Sequence, residues 1–75
     1  MSSTERQLLD VRVIGTTFRV AAASHPAQLA GAVRRARRLL ADARSTATSL
    51  AVREAIAAVE AEVETAGATA RLREA

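Results

Sequence analysis

Seventy-five residues allow one domain at most, and with no cysteine the chain lacks the disulfides and thiolate zinc sites that reinforce many small proteins. One histidine, His25, cannot build a metal site alone, and a single aromatic residue, Phe18, argues against a base-stacking platform for single-stranded nucleic acid. The charge is uneven: residues 1–53 set nine arginines against Glu5, Asp10 and Asp42, a net of +6, whereas residues 54–75 set Arg71 and Arg73 against five glutamates, a net of −3.

All the basic residues are arginine and none is lysine. A GC-rich gene accounts for this, and bidentate contact to an anionic partner is the sharper alternative. The opening MSSTERQLLD has no apolar core of the kind a signal peptide needs. No apolar run approaches the roughly 18–20 residues that span a bilayer. The expectation is a soluble, cytoplasmic protein with a flexible leader over residues 1–8.

VRVIGTTFRV, residues 11–20, is β-branched and alternating around one glycine. Gly15-Thr16 suits a two-residue hairpin turn, with glycine supplying a positive φ. That register sets Val13 opposite Phe18 and Val11 opposite Val20. One face is then Val11, Val13, Phe18 and Val20, and the other carries Arg12, Ile14, Thr17 and Arg19. An isolated hairpin is marginal in water, so it is expected to pack on helices and to pair in a dimer.

Residues 25–44 read as a first helix, capped by Ser24 or His25, with Pro26 in its first turn. Leu29, Val33, Ala36, Leu40 and Ala43 recur at helical spacing as its buried stripe. Gly31 interrupts it and marks a close backbone approach. STATS, residues 45–49, reads as a break in which Thr48 or Ser49 caps a second helix. In that helix Val52, Ile56, Val59, Val63 and Ala66 step by four, three, four and three, a heptad-like spacing suited to a partner helix. Glu60 and Glu64 line one outer face, read as a solvated acidic face rather than a metal site, and Glu62 points away from them. Residues 67–75 form a tail, frayed or helical.

No nucleophile–base pair, phosphate-cradling glycine loop or metal-ligand spacing stands out, so the expectation is a non-enzyme with no cofactor, no catalytic residues and no metal. RRARR holds Arg34, Arg35, Arg37 and Arg38, a cluster able to neutralise phosphates. The competing reading is the solvated side of a helix, and nucleic acid is the less favoured partner on this reading.

Taken in order, "VRVIGTTFRV", "ASHPAQLAGAV", "TSL" and "AIAAVEAEVE" resemble the ZapA family of bacterial cell-division proteins over about residues 10–65. The resemblance implies an α+β fold: a two-stranded antiparallel hairpin followed by two helices, in one domain over residues 9–66. It also implies a homodimer, with tetramers formed in the family through a long coiled coil. The implied partner is the tubulin-like protein FtsZ, or another acidic protein surface. The residues that would meet it are Arg12, Thr16 and Arg19, where Arg19 stands at a position often basic in the family. The dimer and core would draw on Val11, Val13, Phe18, Val20, Leu29, Val33, Leu40, Val52, Ile56, Val59 and Val63. Two other readings stand beside this one: an adaptor or structural subunit of another assembly, and a small arginine-rich dimer that binds nucleic acid.

Overall fold

Ser2 begins the fold. Its side-chain oxygen accepts a hydrogen bond from the Glu5 N–H at 3.1 Å, capping a helix that runs over Ser3–Ser24, α1. Serine at the cap with glutamate three residues on is a helix-start signal, and Glu5 also suits the positive end of the helix dipole. Residues 2–8, within the stretch read as a leader, thus supply the cap and first turns of α1. The computed structural model describes residues 2–74, and among them there is no strand.

The expected hairpin is therefore replaced by the middle of α1, and with it falls the α+β architecture. Leu8, Val11, Gly15, Phe18 and Ala22 step by three, four, three and four, which is a helical stripe. Val11, Gly15 and Phe18 are buried, and Leu8 and Ala22 pack against the same core. A helix satisfies its backbone internally, whereas a lone pair of strands leaves two open edges. The β preference of Val, Ile and Thr amounts to only tenths of a kcal/mol per residue and yields to tertiary packing. Gly15 does not turn the chain, since no glycine has a positive φ among the described residues. The apolar face expected of the hairpin is split in two. Val11 and Phe18 are core, while Val13 and Val20 are 58% and 59% exposed on the opposite side.

Pro26 ends α1. The residue before a proline is driven out of the helical region, and His25 sits at φ −134°, its N–H still bonded to the Ala21 carbonyl. A single 3-10 turn over Pro26–Gln28 leads into a second helix, α2, over Leu29–Thr46. The first predicted helix thus begins as a 3-10 turn and ends two residues later than expected. Its stripe is as read: Val33, Ala36 and Leu40 are buried, joined by Ala32, and Leu29 and Ala43 are partly buried.

The break falls at Ala47–Ser49. The Ser49 hydroxyl accepts from the Val52 N–H at 3.3 Å and starts the third helix, α3, over Leu50–Glu74. Val52, Ile56, Val59 and Val63 are buried along it, and Ala66 packs beside them. The heptad spacing serves α1 and α2 of the same chain. The helix runs through most of the predicted tail; Ala75, like Met1, lies outside the described residues.

Short connections make α2 antiparallel to both neighbours, so α1 and α3 run parallel, and each helix packs on the other two. Gln7 locks one end. Its side-chain amide donates to the Thr46 carbonyl at 2.8 Å, and its carbonyl oxygen accepts from the Thr48 hydroxyl at 3.1 Å. At Gly15 the backbone of α1 comes close to α3: a Cβ there would stand 3.4 Å from Val59 Cγ2. The bundle measures 43 × 19 × 15 Å, and none of its helices is long and apolar enough to cross a membrane.

A candidate anion-binding face

The uneven charge of the sequence is partly consumed inside the bundle. Glu60 and Glu64 share a face, but it turns toward α2 rather than outward as expected, and Glu62 turns toward α1. Arg37 clamps Glu64 through two bonds of 2.7 Å, and Arg44 pairs with Glu60. Arg19 clamps Glu62 at 2.6 and 3.1 Å. Hydrogen bonding from Arg19 holds the Glu62 carboxyl below its usual range, against a smaller opposing effect of burial. Glu64 is lowered chiefly by its bond from Arg37, with the Arg71 charge adding to it. All three bridges are substantially exposed, so each contributes little to stability.

This pairing sorts the predicted partner-binding residues. Arg12, Thr16 and Arg19 lie on the outer half of α1, all exposed, but Arg19 is engaged by Glu62. On a hairpin Arg12 and Arg19 would be cross-strand neighbours. On the helix they are seven residues apart, about 10 Å along the axis. The contact surface implied by the ZapA resemblance is therefore absent, and the FtsZ-binding reading that depended on the hairpin goes with it.

The arginines of α2 divide differently. Arg37 belongs to the α2–α3 seam. Arg34, Arg35 and Arg38 are exposed, and among the side chains described, those of residues 2–72, none has a carboxylate within 4.0 Å of them. Arg34 and Arg38 stand one turn apart on the outer face. Arg35 leans toward α1, where it borders a shallow groove with Ile14, Thr17, Phe18 and Leu39. Arg34 is shared by two concave regions. One, of about 250 Å³, lies between α2 and α3 and adds Arg37, Gly67 and Arg71. The other, of about 440 Å³, lies where α1 turns into α2 and is bordered by His25, Gln28, Gly31 and Arg35.

The arrangement concentrates guanidinium groups over the N-terminal half of α2, of which Arg37 is paired with Glu64. Arg71 was not among the sequence candidates. It joins this region because α3 returns past α2 at Gly67, where a Cβ would meet Val33 at 3.5 Å, and nothing local to residues 67–75 signals that. Gly31 departs from its reading too. Among the described residues no other helix approaches it closely: a Cβ there would meet the Arg34 guanidinium, at 3.9 Å. The described residues hold no group of three or more acidic, histidine or cysteine side chains placed to bind a metal ion.

No protein-family model, no curated protein and no solved structure matches this chain. The ZapA resemblance thus has no support from sequence comparison, and the all-helical fold overturns it.

Proposed function

We propose that this chain is a non-catalytic helical binding module that engages a polyanionic partner through the arginine face of α2. The observation that carries the reading is the contrast between paired and unpaired arginines. Three arginines facing α3 are matched by three glutamates. Among the described side chains, Arg34, Arg35 and Arg38 have no such match, although they crowd within five residues of one helix. Like charges one turn apart on a helix repel by tenths of a kcal/mol, a cost that an anionic partner reverses. Guanidinium forks suit phosphate, sulfate and carboxylate groups, each taking two parallel hydrogen bonds.

The test is the salt concentration at which the protein leaves a heparin column. The double variant Arg34→Glu/Arg38→Glu is expected to lose retention. The control Arg6→Glu/Arg53→Glu makes the same change in net charge at exposed positions elsewhere, and is expected to keep most of it. Equal losses in the two variants would mean that net charge alone sets retention, and would defeat the reading.

A further inference from the structure

We infer that the polyanion is the sugar–phosphate backbone of a nucleic-acid duplex, with one phosphate seated over Gly31 between Arg34 and Arg35. The inference rests on the reading just proposed and adds a location and a class of partner to it.

Gly31 carries the location. Glycine is the poorest helix former after proline, because it loses the most backbone freedom on ordering. Two of the three glycines sit at helix contacts: Gly15 lies against Val59 and Gly67 against Val33, at distances that leave room for a methyl group and little more. Gly31 has no such neighbour. It lies in the first turns of α2, partly exposed, and the group that stands where its side chain would point is the Arg34 guanidinium, 3.9 Å from a Cβ built there. A bare backbone facing outward allows close approach from outside, and what flanks it here is cationic. The concave region around it is bordered by His25, Ala27, Gln28, Arg34 and Arg35, so small side chains form its floor and guanidinium groups its rim.

The class of partner follows from spacing and from what the surface offers. Arg34 and Arg38 are four residues apart, about 6 Å along the helix axis. A duplex presents one phosphate per roughly 1.7 Å of its axis, counting both strands, so one short edge can satisfy several arginines together. Sequence-tolerant binding of single strands relies on aromatic side chains on which bases stack. The sole aromatic residue, Phe18, is 5% exposed and belongs to the core. The face can therefore grip several phosphates but offers an unpaired base only the single imidazole of His25, not the run of rings that a single strand needs, which favours the duplex.

The experiment measures the anisotropy of a short fluorescein-labelled DNA duplex, with a single strand of equal length and heparin as competitors. It compares the full chain with Gly31→Ala, Gly31→Leu and Arg34→Glu/Arg38→Glu, and records a thermal melt of each. The wild type is expected to prefer duplex over single strand, with a logarithmic salt slope of about −3 for three to four phosphates. Gly31→Leu is expected to melt higher yet bind the duplex about tenfold more weakly, as loss of one good contact would give. Gly31→Ala should move the same way by less. More stable and weaker-binding is a combination that damage to the fold cannot produce.

Wild-type affinity retained in Gly31→Leu, with binding lost in the arginine variant, would overturn the seat over Gly31 and leave the arginine face standing. Equal affinity for single strand, or preference for heparin or poly-glutamate over duplex, would overturn the duplex as partner. Absence of binding to every polyanion would overturn both this inference and the reading beneath it.

Discussion

Helix α2 has one apolar stripe and one cationic side. Val33, Ala36 and Leu40 go inward, and Arg34, Arg35 and Arg38 go outward. Helix α1 has two apolar stripes. Leu8, Val11, Phe18 and Ala22 face the core, while Leu9, Val13 and Val20 lie exposed on the far side. The difference explains why one helix reads plainly and the other reads as a hairpin. Residues two apart lie about 200° apart around a helix, so an apolar pair at i and i+2 marks either one face of a strand or both faces of a helix. In α1 the pairs Val11/Val13 and Phe18/Val20 are of the second kind.

The sharpest way to break this comparison is to truncate both members of such a pair. Phe18→Ala removes a buried ring and is expected to cost about 3–5 kcal/mol. Val20→Ala, on the exposed side, should stay within about 0.5 kcal/mol of wild type. On a hairpin the two residues would share the buried face, and both changes would be costly. Urea denaturation of the two variants decides between the folds, and comparable losses would rule out the helix.

A smaller effect with an opposite sign comes from Gly15. As the first residue of a tight hairpin turn it would need a positive φ, and alanine there would destabilise. Inside α1 its backbone is helical. An added Cβ would stand 3.4 Å from Val59 Cγ2, at ordinary van der Waals contact. Gly15→Ala is therefore expected to raise stability, by up to about 1 kcal/mol, since alanine orders into a helix at lower entropic cost. A lower denaturation midpoint would sink that account of the position.

Much of the bundle was legible residue by residue. Val52, Ile56, Val59 and Val63 announced α3, and Ser49 announced its start, because hydroxyl caps and a single apolar stripe are local signals. The arginine cluster on α2 was equally local. Ser2 with Glu5 was also local, a helix start overlooked because the residues around it bury little. Gly15 misled because a glycine between β-branched residues is a turn signal whenever the only neighbours considered are those in sequence. What ruled against the turn was Val59, forty-four positions away. The pairing of Arg19 with Glu62 was illegible for the same reason: spacing placed Glu62 on its own side of α3 but could not say which helix lay there.

That pairing offers the finest discrimination between the two readings of α1. Were Arg19 displayed on a hairpin for an outside partner, it would be energetically independent of Glu62. In the bundle the two are bonded at 2.6 Å, and Arg19 holds the Glu62 carboxyl below its usual value near 4.5. A carboxyl whose folded value is depressed contributes stability above its unfolded value, and loses it as the pH falls through the folded one. A double-mutant cycle of Arg19→Ala and Glu62→Ala should thus give a stabilising coupling at pH 7, small because both side chains are widely exposed. The coupling should fade as the pH drops below about 4.5, once Glu62 binds its proton. The equivalent cycle of Arg37 with Glu64 should fade over the same acidic range, since Glu64 is depressed by the same kind of clamp. Zero coupling at pH 7 for Arg19 and Glu62, with a measurable value for Arg37 and Glu64, would leave α2 docked on α3 as described. It would also return Arg19 to the surface as a free charge.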